Sequence, residues 1–436
     1  AGCDTEAHLY CYSFAPHLRV SRMYAGRHEL QGYLNRIADE YGLRAHIRFG
    51  TRVVRATWNE GDAVWVVQTQ SGEELRARFF ITAWGQLGTP SIPDFAGLAS
   101  FGGVTFHSAQ WNTAVDLTGK RVVSVGNAAS AVQYVPEIAR VAKYLTVLQR
   151  SANWVMPRNQ IVFTPEQLDE FEADPALFEQ SRKDLHEFRE NGFRRTRVGT
   201  SEQAAGVALA LEHLEKQVPD PELRAKLTPT YEFGCKRILR SDDYFPALTR
   251  DNVELDTSAI DRFVSGGVQM ADGRVHEADV VVFGTGFKSQ AFQGDLIVTG
   301  RGGADLAERW NDGAEAYLGM TVDGFPNLFM IYGPNTNLNH NSIISMLETQ
   351  QHYILEVLGS LLPQVHASLD VRRDVLDDFN RKVQQQMQTS AFSADCSSWY
   401  KDASGKVINN WSGTVDEYRE YAAAWKPEDF LVVDVR

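Results

Sequence analysis

The 436-residue chain has no excess of positive charge: 43 Lys and Arg stand against 56 Asp and Glu, a net charge of −13. A basic face for nucleic acid is therefore not expected, and a polybasic membrane patch has little to draw on. No apolar run approaches the roughly 18 residues that a membrane-spanning helix needs. Cysteine is scarce. Cys3, Cys11, Cys235 and Cys396 lie far apart without metal-ligand spacing, in a chain long enough to bury its own core. That pattern reads as a reducing, cytoplasmic protein rather than a disulfide scaffold. There is also no initiator Met, no signal peptide and no capped first element, so the sequence reads as starting inside a domain. Tandem repeats and low-complexity segments are missing too. What is present is an ordinary globular composition, 43% apolar, at a length that suggests two to four domains.

Leu30, Tyr33, Leu34, Ile37 and Tyr41 recur at helical spacing and predict a helix over 28–43. Strand-like runs at Val53–Thr57 and Ala63–Val67 flank the turn residues Asn59-Glu60-Gly61-Asp62, and a third run spans Leu75 to Trp84. Its end, 79–83, is almost continuously apolar, as for a parallel strand covered on both faces. Residues 86–119 read as a Pro/Gly-rich connection. Next comes one βαβ unit: strand Arg121–Val125, a glycine turn, a helix from about Ala129 and strand Tyr144–Gln149. Pro136 would cost about 3 kcal/mol in an unbroken helix interior, which predicts a kink or an early end. Residues 164–228 read as a helical insertion, and 252–255, 260–263 and 268–270 as a small antiparallel excursion. The apolar strand Ala278–Phe283 ends in Gly284-Thr285-Gly286, repeating the strand–glycine pattern of 79–85. Helices over about 343–361 and 374–388 precede a tail rich in Trp and Tyr. The fold class is α/β, with two interleaved Rossmann-like dinucleotide-binding domains and a helical insertion.

The strongest local motif is Val125-Gly126-Asn127-Ala128-Ala129-Ser130. A buried strand entering a tight glycine turn and then a helix offers backbone N–H groups and the positive helix end to a pyrophosphate. The motif follows G-x-G-x-x-A except that Ala128 replaces the middle glycine, where a methyl group crowds the approach to phosphate. A strand–helix turn without a ligand is the competing reading. The next strand ends Gln149-Arg150-Ser151, without the acid that usually bonds an NAD ribose. A guanidinium and a hydroxyl suit a 2′-phosphate, pointing to NADP, unless Arg150 is an idle, solvated strand end.

Phe101-x-Gly103-x3-His107-x3-Trp111 precedes that unit. With it, the chain resembles the flavin-dependent type I Baeyer–Villiger monooxygenases, whose fingerprint F-x-G-x3-H-x3-W continues with Pro or Asp where this chain has Asn112. Other segments are similar to the same family: Gly2-Cys3-Asp4, His8–Phe14, Ala83–Gly88 with Trp84 in place of a small residue, Gly234-Cys235-Lys236-Arg237, Gly284–Phe287, Gly324–Phe329, Gly333–Thr336 and Ser398-Trp399-Tyr400. The family's first Gly-rich unit for FAD does not precede Asp4, so roughly 60 residues of a βαβ start look missing.

The resemblance implies FAD and NADP as cofactors, with a small-molecule ketone and O2 as substrates. It implies insertion of one oxygen beside the carbonyl through a peroxyflavin, giving an ester or lactone. Arg237 matches the active-site arginine and Asp4 the acid that holds it; an arginine keeps its charge in a dry site. Lys236 would join Arg150 and Ser151 on the 2′-phosphate. Gly126, Asn127, Ala128, Ala129 and Ser130 would form the pyrophosphate turn, and His107 would order linker and cofactor rather than move a proton. Tyr10, Val53, Gly85, Gln86, Gly286 and Asn335 map near FAD, with Asp4 beside it, and Trp399 maps over the nicotinamide. No metal is expected, and His340 is assigned no catalysis.

The implied domains are an FAD-binding part at 1–115 and 276–390, an NADP-binding part at 116–163 and 233–275, the insertion at 164–232 and a C-terminal segment at 391–436. Two other readings stay open: a flavin monooxygenase acting on nitrogen or sulfur, and a non-catalytic fragment lacking half of the FAD site.

Overall fold

Helical spacing at the start of the chain becomes α1 (Arg27–Glu40), which buries Tyr33 and Ile37. β1 (Val53–Asn59) and β2 (Val64–Thr69) pair antiparallel, and β3 (Glu74–Ala77) extends their sheet. The expected strand Leu75–Trp84 is two strands. The chain breaks at Arg78, whose guanidinium donates to the carbonyls of Leu361, Leu362 and Gln364, and β4 (Phe80–Thr82) leaves the antiparallel sheet. Ile81 on β4 is exposed, so the cover expected on both faces is absent among the described residues. The structure, a computed structural model, describes residues 2–364 and 367–434.

β5 (Val104–His107) lies within the stretch read as a connection. β6 (Arg121–Val125), α2 (Ala131–Val141) and β7 (Tyr144–Leu148) form the expected parallel βαβ unit. The helix begins two residues later than expected and continues past Pro136, with Val132, Val135, Ile138 and Ala139 turned into the core. After the short strand β8 (Val155–Met156) the insertion is helical, as its composition predicts. It contains α3 (Pro165–Ala173), α4 (Pro175–Gly192), α5 (Ser201–Gln217) and α6 (Pro221–Leu227), capped by Thr164, Asp174, Thr200 and Asp220. β9 (Leu239–Arg240) pairs in parallel with β8, and α7 (Tyr244–Leu248) follows.

β10 (Val253–Asp256) corrects another expectation. It is not part of the antiparallel excursion but runs parallel to β7. Asn252 anchors it by donating to the carbonyls of Ala139 and Ala142 at 3.0 Å each, at the end of α2. The excursion consists of β11 (Ile260–Val264), β12 (Gly267–Met270) and β13 (Val275–Glu277). β14 (Val280–Phe283), buried throughout, runs between β6 and β5. The result is a five-stranded sheet of order β10-β7-β6-β14-β5, parallel at every pairing, with apolar clusters on its two faces.

Towards the C-terminus, β15 (Ile297–Thr299) joins β1 in parallel, α8 (Leu306–Arg309) follows, and β16 (Leu328–Met330) pairs in parallel with β4. α9 (Ile343–Leu361), β17 (Ala367–Val371), α10 (Arg373–Met387), α11 (Val415–Tyr421) and β18 (Phe430–Asp434) complete the chain, β18 antiparallel to β17. Tyr353, Tyr400, Trp411 and Tyr418 fill the core among them.

Two compact units result. The first gathers Thr89–Ile161 and Gly199–Lys288 with residues 2–4; the second holds Thr5–Gly88, Val162–Val198 and the described residues from Ser289 onward. Among the described residues no helix is long and apolar enough to cross a membrane.

Candidate functional site

In the first unit, β6 delivers Gly126 at φ +106°, a conformation side chains rarely adopt. A Cβ there would lie 2.5 Å from the Gly284 carbonyl oxygen, so the glycine is required by the close approach of two strand ends. The turn is locked by amides. Asn127 Nδ2 donates to Gln149 Oε1 (2.8 Å) and to the Ser151 carbonyl (2.9 Å). Gln149 Nε2 in turn donates to the Lys226 carbonyl at 2.6 Å. Ala128 occupies the exposed tip, with Ala129 and Ser130 half-buried behind it. Ser130 stands at the cap position of α2, yet its hydroxyl makes no cap bond. The N–H groups of Val132 and Gln133 are held by the carbonyls of Ala128 and Ser130, so the helix start is open to an anion only at the turn ahead of them.

Beyond β7, Lys236 Nζ donates to the Ser151 hydroxyl at 2.9 Å and sits 4.3 Å from the centre of the Tyr231 ring. Burial pushes the lysine pKa down, and the charge of Arg150 pushes it further. Arg150 is exposed. Two cations and a hydroxyl gathered here could hold a doubly charged anion, whose arrival would relieve their repulsion.

The neighbouring Arg237 takes a different partner. One of its terminal nitrogens donates to both oxygens of Asp4, at 2.8 and 2.9 Å. The pair is partly open, with side-chain exposures of 39% and 26%. It therefore presents an oriented, permanent cation at an accessible position. The pairing of β8 with β9 and the Lys236–Ser151 bond hold this loop against the segment that follows β7.

His107 ends β5, buried, and accepts the Ala109 N–H through Nδ1 at 3.1 Å. The other nitrogen therefore carries the proton of the neutral ring. Burial lowers the pKa of this histidine, and the Gly286 backbone opposes that shift without reversing it. The ring meets Phe287 edge-on at 5.6 Å. These contacts fit an ordering role. Gly286 has φ +84° and open space about its α-carbon.

In the second unit, Gly85 turns the chain at φ +71° after β4. The buried Gln86 that follows donates to the carbonyls of Gly333 and Tyr332 at 3.3 and 3.4 Å. Asn335, in the left-handed region at φ 54°, is also buried and donates to the carbonyls of Val407 and Asn410 at 2.9 Å each. Gln86 and Asn335 are thus brought together through one loop, 332–335. Val53 opens β1 opposite Thr69, and the Tyr10 N–H donates to the Glu6 carbonyl at 2.9 Å. Trp399 packs at a tilt against Tyr400, ring centres 4.7 Å apart, and its carbonyl accepts from the Ser289 hydroxyl at 3.4 Å. Ser342 caps α9, accepting from the Ile344 N–H. His340 Nε2 meets Glu190 at 3.2 Å.

Sequence reasoning missed Gln149, Tyr231, Asn337, Asn409 and Asn410. Gln149 was within reach, since it stands where an acid would serve an NAD ribose. The C-terminal asparagines carry no spacing that a motif could expose.

Comparison with known proteins comes to the same place. The family described as "Flavin-binding monooxygenase-like" matches residues 3–168. A Baeyer–Villiger monooxygenase of Streptomyces coelicolor is 38% identical over 419 residues, spanning 96% of this chain and 80% of its own. Among solved structures, an oxidized steroid monooxygenase bound to NADP superposes with a TM-score of 0.88 at 29% identity, covering 100% of this chain and 91% of that one. A complex of OTEMO with FAD and NADP gives 0.87 at 25% identity, with 99% and 90% covered.

Proposed function

This chain belongs to the Baeyer–Villiger monooxygenase family, and on that premise we propose how its own residues serve that reaction. The protein is an FAD- and NADPH-dependent monooxygenase that inserts one atom of O2 beside a ketone carbonyl, giving an ester or lactone. Its partners are a small carbonyl compound and O2, and a cytoplasmic location is part of the same proposal. What FAD and NADPH supply when bound is two-electron reduction and the activation of O2.

The residues fit both groups. For NADP, the turn ahead of α2, the exposed Arg150 and the Lys236–Ser151 pair offer an anion site of pyrophosphate and 2′-phosphate type. The backbone from Gly126 to Ser130 would take the pyrophosphate. Ala128, on the exposed tip, would set how closely it comes. For FAD, three buried amide atoms beside Gln86 and Asn335 have no partner: Asn335 Oδ1, Asn409 Oδ1 and Asn410 Nδ2. Orphans of both kinds in one buried place suit a flat group with donors and acceptors along its edge.

Arg237 supplies the fixed positive charge. Negative charge develops on the carbonyl oxygen of the substrate as the new bond to oxygen forms, and a guanidinium stabilises it without taking or giving a proton. Asp4 orients that guanidinium by accepting from one nitrogen with both oxygens. His107, neutral and buried, holds the strand end.

The observation that carries this reading is the split of two adjacent cations, Lys236 onto Ser151 and Arg237 onto Asp4. The test is incubation of the FAD-loaded enzyme with NADPH, air and a panel of cyclic and linear ketones, followed by chromatography. Ester or lactone carrying label from 18O2 supports it; NADPH oxidation without any oxygenated product across the panel contradicts it.

A further inference from the structure

Two segments distant in sequence run side by side within the second unit. The N–H of Asn335 donates to the Ile408 carbonyl (2.8 Å), that of Asn337 to the Asn409 carbonyl (2.9 Å) and that of Trp411 to the Asn337 carbonyl (2.9 Å). Side chains continue the pairing. Asn335 Nδ2 reaches the carbonyls of Val407 and Asn410, and Asn337 Nδ2 reaches Asn410 Oδ1 at 2.6 Å. Asn409 Nδ2 donates to Gln86 Oε1 at 2.8 Å and to the Ser289 carbonyl at 3.0 Å. Asn409 and Asn410 are both wholly buried.

The bond from Asn409 is the short one that Gln86 makes. Its other contacts, to Tyr332 and Gly333, are 3.3 Å or longer. The orientation of the Gln86 amide, and so whether an oxygen or a nitrogen faces a ligand, is therefore set by Asn409. Asn335 is held in the same way, since both hydrogens of its amide point at the 407–410 segment and its oxygen is left without a partner. A tail that merely packed against the core would bury apolar side chains at these positions. It would not bury two amides that leave an acceptor on Asn409 and a donor on Asn410 unused.

We propose that Asn409 is a positioning residue for the flavin: its side chain through Gln86, and the backbone carbonyls of Val407 and Asn410 through Asn335, fix the polarity of the amide groups that the ring edge meets. This rests on the reading that Gln86 and Asn335 face FAD. Asn409 acts through Gln86, so removing either should have one and the same effect.

The experiment measures FAD affinity by fluorescence quenching on reconstitution, and the midpoint potential and absorbance maximum of the loaded protein. Melting of the flavin-free form serves as the check on folding. Asn409→Leu is expected to weaken FAD binding about tenfold, the scale of one lost hydrogen bond, and to shift the potential and the absorbance maximum. Gln86→Leu should reproduce both changes, and the double variant should be no worse than either alone. Should Asn409→Leu fail to fold, Asn409→Ser, too short to reach Gln86, replaces it with the same expectation. Affinity within twofold of wild type together with an unchanged potential overturns the proposal, as do losses that multiply in the double variant. Wild-type protein that binds no FAD at all would instead remove the reading of the site beneath it.

Discussion

Lys236 and Arg237 are neighbours in the chain whose side chains bond in two directions. The ammonium of Lys236 meets the Ser151 hydroxyl at 2.9 Å, while the guanidinium of Arg237 meets the Asp4 carboxylate at 2.8 Å. On the proposed reading, one loop serves two tasks with one kind of charge: coenzyme phosphate on one side and a reacting oxygen on the other.

The phosphate side predicts a selective loss. Arg150→Ala removes a charge-assisted contact worth about 1.5–3 kcal/mol, so KM for NADPH should rise roughly ten- to a hundredfold while NADH use barely changes. Lys236→Ala should act in the same direction. Steady-state kinetics with both coenzymes checks this; equal losses with NADPH and NADH would make Arg150 structural.

Gly126→Ala should destabilise the first unit whether or not coenzyme is present. The new Cβ would lie 2.5 Å from the Gly284 carbonyl at a φ of +106°. Backbone strain and overpacking each cost about 1–3 kcal/mol. A drop of several degrees in the melting temperature of the coenzyme-free protein is expected. An unchanged melting temperature with weakened NADP binding would show that the glycine serves only the ligand.

The parts of the fold that could be read from the sequence are those where local pattern and final environment agree. The βαβ unit at 121–148 is one, because a buried parallel strand is apolar on both faces wherever it stands. Two of the misread stretches failed for a tertiary reason. Arg78 breaks the 75–84 run only because the carbonyls of Leu361 and Gln364, almost three hundred residues later, accept from it. Likewise 252–255 joins the parallel sheet because Asn252 finds the end of α2. Of the candidate site residues, Arg150 and Ser151 were legible from the strand end and Asp4, Lys236 and Arg237 through the family resemblance, and the structure brings Lys236 to Ser151 and Arg237 to Asp4. Asn409 and Asn410 were not legible, since asparagine in a tail reads as turn chemistry until its buried partners are seen.

The second unit carries an acid-sensitive histidine. His8 is caged by Phe163, Phe171 and Phe178 and meets the Ser181 hydroxyl at 2.9 Å. Burial, helped by the positive charge of His17 and Arg182, lowers its pKa to about 4. The folded protein thus favours the neutral ring. This contribution is fully present above the ordinary histidine value of 6.5 and is lost as pH falls through 4, about 3 kcal/mol in all. His8→Phe keeps the stacking on Phe163 and should flatten that part of the profile. Urea midpoints measured from pH 7 down to about 4 test it, and parallel profiles for variant and wild type would contradict it.

The central claim concerns Arg237. A cation that stabilises charge on the substrate oxygen acts after hydride transfer, so its loss should separate the two half-reactions. In FAD-loaded Arg237→Ala, rapid-mixing spectroscopy should still show flavin reduction by NADPH, while chromatography should show ester formation down by at least about 100-fold, the scale for one lost oxyanion donor. NADPH would then be consumed with release of hydrogen peroxide. Asp4→Ala should give a weaker version, because it removes the orienting partner and leaves the charge. Reduction retained with ester lost is the result predicted; ester formed by Arg237→Ala at near wild-type rate would contradict the assignment of this loop.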